Sequence, residues 1–467
     1  MRVTVANDRP VQVPPDEVTT CVEAVARRLT DPGHVEDQVR SVGNVEPVFG
    51  KPPWNGISLS HGWSGTALLF AELARDDDAW ARIGHAHLVA ASETLPTSSW
   101  AGGLFGGPAA LGLAAYALRA ENRPYTTLLE KLNRAVMADA QQRLAVELRR
   151  RGVGRGASWV SYDVISGLSG IGRYLVHAAE YEGARSDVAH TLGEVLASVI
   201  ALAEPIVLDG VKLPGWHVPV EFELVEEDRK TFPRGDSNLG AAHGISGALA
   251  FLSIAARRGW QVSGQKSAIH TMAWWLMRWH TADADGPFWP ARVSYAEQAS
   301  GQLDDNCFTR AAWCYGTPGT AHALVLASQV LGDDFLVRTA VETMLSVLDR
   351  PPAQWRNVGP TFCHGRSGLL ETTRSMFRET GDERLAPHVT RLTRDVLARF
   401  DDDHPFGFQH LVPQLAVNWR TRTEDYGWDG LTVAGLLEGA AGVALALLAT
   451  ARTSTDDEIW RSAFMLA

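Results

Sequence analysis

The chain has 467 residues, 45% of them hydrophobic and 21% charged, with a net charge of −11 and a pI near 5.8. That balance supports a large buried core and argues against nucleic acid as a partner, because phosphate contact needs clustered Lys and Arg and no basic stripe is present. The start, Met1 to Val5, lacks the basic region and long apolar stretch of a secretion signal. Four cysteines (Cys21, Cys307, Cys314, Cys363) are too few for a disulfide framework, so a reducing cytoplasm is expected.

After an N-terminal lead-in over residues 1–50, one pattern recurs along the chain: Gly-x-x-Gly followed at once by an Ala/Leu-rich stretch. The copies begin at Gly62, Gly106, Gly167, Gly244, Gly316, Gly365 and Gly439, with Ala109 replacing the second glycine of the second copy. Their spacings of 44, 61, 77, 72, 49 and 74 residues are too uneven for a fixed-period solenoid. Each interval suits two helices and a loop. After Gly247, residues Ala248, Phe251, Leu252 and Ala255 fall at helical period, and after Gly319 so do Ala323, Leu326, Ala327 and Val330. Leu192 to Ala203 and Thr271 to Trp279 read as further helices.

Seven helix pairs that cannot bury their apolar faces singly close into an all-α ring. The expectation is one domain over 1–467, an α/α toroid of seven inner and seven outer helices with the glycine turns at one mouth. Glycine there would permit φ > 0 and close backbone approach. The longest loops are 204–240 and 283–309, and His217 to Val225 alternates enough for a short hairpin. Thr432 to Thr450 is apolar except for Glu438, but it carries the repeat's turn and reads as a core helix, not a membrane span.

Aligned on the first glycine, the position two before it reads Ser60, Leu104, Ile165, Ala242, Cys314, Cys363 and Leu437. The next position reads His61, Phe105, Ser166, His243, Tyr315, His364 and Glu438. Metal-competent residues concentrate in repeats four to six. Cys314, Cys363 and His364 would form a Cys₂His zinc site with an open fourth position, one ion per chain. The alternative is that both cysteines are small buried apolar residues; Cys307 competes as a ligand but lies outside the register. Two thiolates neutralise Zn²⁺, which suits holding and activating a third thiol better than polarising a carbonyl.

Asp163, His243, Arg310 and Tyr315 map to the same mouth. Each has a plainer reading: Asp163 as a helix cap, His243 as a satisfied structural group like His61, Arg310 as a partner of Asp304 or Asp305. Arg310 would lie one helical turn before Cys314 if that stretch were helical.

These motifs together resemble the lanthionine synthetase C-like family. The matching stretches are Tyr162-Asp163-Val164 through Gly167-Leu168-Ser169-Gly170-Ile171, Asn238 through Gly244, Arg310 through Gly316 with its Trp-Cys-Tyr-Gly, and Cys363-His364-Gly365. The likeness runs from about Gly62 to Leu448. It implies the toroid, zinc on Cys314, Cys363 and His364, acid–base work by Asp163 and His243, and active-site places for Arg310 and Tyr315. It also implies a reaction: a Cys thiol of a dehydrated precursor peptide adds to dehydroalanine or dehydrobutyrine, and His243 protonates the resulting enolate. A lanthipeptide dehydratase and an export transporter would be partners, in the cytoplasm or peripherally at the inner membrane in a biosynthetic complex. The turn motifs leave open a relative that binds glutathione or adds thiols to other dehydrated proteins, and a non-catalytic zinc-stabilised peptide scaffold. A glycoside hydrolase would need two carboxylates across a sugar, and Asp163 alone is placed for that.

Overall fold

Every glycine turn read from the sequence stands at the start of a buried helix. The computed structural model describes residues 13–47, 49–95, 102–223, 226–304, 308–413, 427–452 and 458–467. Among them the inner helices are Trp63–Leu73, Gly107–Leu118, Leu168–Glu182, Ile245–Arg257, Thr317–Leu331, Arg366–Thr380 and Ala440–Ala451. They are buried almost all round, as helices enclosed by neighbours are. Each packs on the next and the last packs on the first, so the ring closes.

Six outer helices follow their inner partners: Ala79–Thr94, Thr126–Gly152, Asp187–Ile200, Gln265–Arg278, Asp334–Asp349 and Ala386–Leu397. The seventh comes from the other end of the sequence. Pro15–Arg28, within the expected lead-in, buries Val18, Val22, Val25 and Ala26 and packs on the last inner helix.

Backbone hydrogen bonds lace the turns into a circle at the mouth. Leu59 N donates to Phe105 O, Phe105 N to Ile165 O, Val164 N to Ala242 O, and Ala242 N to Cys314 O. Cys314 N then donates to Cys363 O, Cys363 N to Leu437 O, and Leu437 N back to Ser60 O. This lacing explains the second glycines. A Cβ at Gly170 would lie 2.0 Å from Val164 O, and one at Gly368 1.9 Å from Phe362 O. The expected positive φ occurs at one first glycine, Gly316 (φ 93°); the others are extended. Close approach, not handedness, is the general reason for glycine here.

Residues 458–467 enter the ring, which the sequence did not suggest. Phe464 stacks on Phe362 at 3.6 Å and meets Trp313 edge-on at 5.0 Å, while Trp313 Nε1 donates to its carbonyl at 2.9 Å. Arg461 pairs with Glu371, and Glu458 with Arg374, both from the sixth inner helix.

The two long loops form a wall beside the mouth. Strand Asp236–Asn238 of the first pairs antiparallel with Arg292–Ser294 of the second. The expected hairpin at His217 to Val225 is not formed by the described residues: Pro219 interrupts, Val220–Phe222 is a 3₁₀ turn, and residues 224–225 lie outside those described. A hairpin lies earlier instead, Ile206–Leu208 with Val211–Leu213. Its turn is Asp209-Gly210, both at positive φ, the dipeptide that best matches strand twist. The apolar segment near Glu438 becomes the last inner helix, and no described helix is long and apolar enough to cross a membrane.

Candidate active site

Cys314, Cys363 and His364 come together at the mouth, with their ligating atoms all within 4.8 Å of one another. The lacing does this, because Cys314 N donates to Cys363 O at 3.3 Å and brings the two turns side by side. Cys314, Cys363 and Cys21 are free thiols; Cys21 sits away from the mouth on the seventh outer helix, Pro15–Arg28, where burial pushes it up to about 12. Cys307 and Asp305 lie outside the described residues.

Burial opposes ionisation of Cys314, but hydrogen bonds from Cys363 and His364 hold it well below the usual thiol range. Cys363, bonded to that thiolate and partly buried, is held well above it. One negative charge is favoured on the pair, and a divalent cation among the three donors would stabilise the second. Two thiolates and an imidazole at this separation fit a soft or borderline metal ion.

Arg310 is buried, and its charge favours ionisation of both cysteines. The helical turn expected between Arg310 and Cys314 is absent, because residues 308–316 are irregular. The chain folds back so tightly that a Cβ at Gly316 would meet Arg310 O at 1.9 Å.

On the other side of Cys314 stand Asp163 and His243. His243 Nδ1 lies 2.5 Å from Asp163 Oδ2, and the carboxylate can only accept, so Nδ1 carries the hydrogen and Nε2 is left as the working nitrogen. Asp163 Oδ1 accepts from Ser166 N at 2.7 Å and Gly167 N at 2.5 Å. One oxygen thus ties down the turn ahead of helix Leu168–Glu182, whose own N-cap has no side-chain hydrogen bond, and the other meets the imidazole. Trp159 meets the His243 ring edge-on at 5.3 Å, and the Tyr315 ring lies 6.4 Å from it. Burial raises the Tyr315 phenol well above its usual range, against the pull of Arg292.

Three features of the mouth escaped the sequence reading. His61 Nε2 lies 2.6 Å from Glu438 Oε2, with His410 Nε2 3.9 Å from the same oxygen. His364, His410 and Glu438 form a second cluster of ligating atoms within 4.8 Å. Burial pushes the Glu438 carboxyl up, but His410, His61 and His364 together hold it well below the usual range. His61 and Glu438 occupy the register position of His243 and His364, and they become neighbours only because repeat seven meets repeat one.

The third is Arg292, whose guanidinium lies 4.9 Å from the Trp159 ring and 5.8 Å from the Tyr315 ring, and pairs with Asp236, Asp228 and Glu223. Burial, then Asp236, pushes the Glu223 carboxyl above its usual range, and burial raises Asp236 as well, against the pull of Arg292 on both. Nothing in the irregular loop sequence marked this cluster.

Comparison with known proteins gives consistent results. The family described as lanthionine synthetase C-like protein matches residues 53–465. The nisin biosynthesis protein NisC of Lactococcus lactis subsp. lactis is 24% identical over 417 residues, spanning 88% of this chain and 89% of that protein. The solved structure of nisin cyclase superposes with a TM-score of 0.72 at 20% identity, covering 97% of this chain and 98% of that one, which establishes the shared toroid.

Proposed function

The chain belongs to the lanthionine synthetase C-like family, and from that premise we propose that it is a zinc-dependent lanthipeptide cyclase acting as one toroidal unit. It would add Cys thiols of a dehydrated precursor peptide to dehydroalanine or dehydrobutyrine, closing (methyl)lanthionine thioether rings. The observation that carries this is the shared mouth: a triad of two free cysteines and a histidine beside a histidine–carboxylate dyad. Cys314, Cys363 and His364 would hold one zinc ion. Bound there, zinc would favour the thiolate form of an arriving thiol at neutral pH.

The chain's own groups account for the rest. Asp163 fixes the His243 tautomer and orients the ring, so that Nε2 would deliver a proton to the α-carbon of the enolate. Arg310 supplies positive charge beside the thiols, and Tyr315, partly buried near Arg292, would line the site next to the imidazole. A cytoplasmic setting with a dehydratase upstream and an export transporter downstream completes the reading. A family member adding glutathione or other thiols to dehydrated proteins would use the same residues, so substrate decides between them. The His243–Asp163 dyad favours catalysis over a passive scaffold.

Cyclisation leaves mass unchanged, so the test counts thiols. A dehydrated Cys-containing peptide is incubated with enzyme and alkylated, and loss of alkylation is expected. Full alkylation with every dehydrated peptide tried would remove the reading.

A further inference from the structure

The outer helix of repeat two outgrows the ring. Thr126–Gly152 has 27 residues, where the other outer helices have 12 to 16. Its ring-facing stripe of Leu129, Leu132, Val136 and Ala140 ends level with the mouth, where Asp139 accepts from Gly103 N at 3.4 Å, just ahead of the Gly106 turn. Residues 144–152 rise about 14 Å further, and of them only Glu147 is buried. The segment returning to repeat three braces this overhang beside the site: Arg143 Nη1 donates to Val160 O at 3.0 Å, and Ser161 Oγ donates to Glu147. Next to Val160 stands Trp159, whose ring meets His243. The overhang nevertheless leaves apolar side chains in water: Val146, Leu148, Val153 and Val160 are 52%, 68%, 70% and 48% exposed. In a chain of net charge −11, residues 143–155 also carry five arginines and one glutamate. Arg143, Arg150 and Arg155 pair with Asp139, Glu147 and Glu221, leaving Arg149 and Arg151, among the described residues, without a carboxylate partner. Val146 and Arg149, like Leu148 and Arg151, are three residues apart, so each free guanidinium stands beside an apolar side chain.

We propose that the overhang docks an acidic segment of the substrate peptide, one in which Asp or Glu alternates with apolar residues and which lies outside the part being closed into rings. The bound chain is a substrate only on the cyclase reading, and the proposal rests on it. Charge complementarity selects the occupant: guanidiniums hold carboxylates in pairs of hydrogen bonds, and the rest of the chain, more negative still, repels an acidic peptide elsewhere. The exposed valines and leucine supply apolar area that a purely ionic ligand would leave in water. Position selects a peptide over a lipid surface. A bilayer laid on the overhang would lie across the mouth, whereas an extended chain reaches the mouth from its tip in about four residues. Docking of this kind raises the local concentration of the reacting cysteine and leaves the chemical step alone, so it lowers KM at unchanged kcat.

The test has a binding arm and a ring-closure arm. In the first, a fluorescein-labelled peptide of repeated Asp-Leu-Ser is titrated with the full-length protein and followed by anisotropy, beside a Lys-Leu-Ser control. Wild type should bind the acidic peptide and not the basic one, and less tightly as salt rises. Arg149→Glu with Arg151→Glu should weaken binding by about tenfold or more. Arg149→Gln with Arg151→Gln should weaken it less, and it serves where acid at the helix C-terminus prevents folding. Equal affinity of wild type and either folded variant, or no binding to wild type, overturns the proposal. Co-sedimentation with phosphatidylglycerol vesicles in place of peptide binding would assign the surface to a membrane, and overturns it too. In the second arm, a dehydrated Cys-containing peptide is supplied with and without the Asp-Leu-Ser segment appended, and ring closure is read by alkylation. Wild type should show a lower KM with the segment at equal kcat, and the variants should lose that difference while closing the bare peptide normally. Closure of neither peptide by wild type, with binding intact, would remove the cyclase reading and the substrate as occupant together. Loss of binding with closure intact removes the docking surface alone.

Discussion

The thiol flank of the mouth is made from repeat turns, whereas the imidazole flank leans on inserted loops. Cys314, Cys363, His364, Glu438 and His61 all sit within two residues of a first glycine, and the backbone circle sets their spacing. His243 and Asp163 also come from turns, but what surrounds them does not. Trp159 lies before its turn, and Arg292 arrives on a strand of the second long loop. The difference separates two kinds of constraint. A metal site needs fixed ligand separation, which a repeating backbone supplies; a substrate wall must suit one substrate, which inserted loops can vary without disturbing the ring.

The largest effect should come from the thiol flank. Cys363→Ala removes one of three ligating groups, so bound zinc and ring formation should fall together, measured by metal content and by alkylation. Zinc retained at one equivalent would separate the triad from the metal and break the comparison at its base. On the other flank, His243→Asn should keep zinc at full content and slow ring formation by about 10²–10⁴-fold, the usual worth of a general acid. An active variant would remove His243 from its proposed role.

Legibility followed the same division. The register on the first glycine exposed Cys314, Cys363, His364 and His243, because equivalent places in a ring face one axis. It also contained His61 and Glu438, but their pairing depends on ring closure across 377 residues of sequence, which the order of the repeats does not display. Arg292 had no register to stand in. Alternation points to a hairpin at His217 to Val225, whereas the stronger signal, Asp209-Gly210, lies upstream between short strands. Residues 458–467 carry no glycine turn, and their place inside the ring comes from shape: Phe464 fills the space between Trp313, Phe362 and Phe105.

The wall can be loosened without touching a ligand or the dyad. Arg292→Ala leaves Asp236, Asp228 and Glu223 without their guanidinium, and breaking a buried ionic cluster in this way costs about 3–5 kcal/mol. The melting temperature should fall clearly, zinc should stay, and ring formation should drop less than in His243→Asn. Arg292→Lys keeps the charge but loses the planar fork that stacks on Trp159, and should fall between wild type and Ala.

The smallest effect is expected at the far edge of the same wall, and it tests how far the wall acts on the site. Gly210 has φ +80°, and a Cβ added there meets nothing within 4 Å. Gly210→Ala therefore adds no clash; its cost is the left-handed backbone alone, about 1–2 kcal/mol. The hairpin reaches the mouth indirectly, through Tyr295, whose hydroxyl donates to Leu208 O at 3.2 Å, and through Asp209, which pairs with Arg234 two residues before strand Asp236–Asn238. A slight loss of thermal stability with unchanged zinc and unchanged ring formation would place the functional boundary of the wall at the Asp236–Arg292 pairing. A fall in ring formation as large as that of Arg292→Ala would mean instead that the wall moves as one body, and that the imidazole flank is set by the whole insertion.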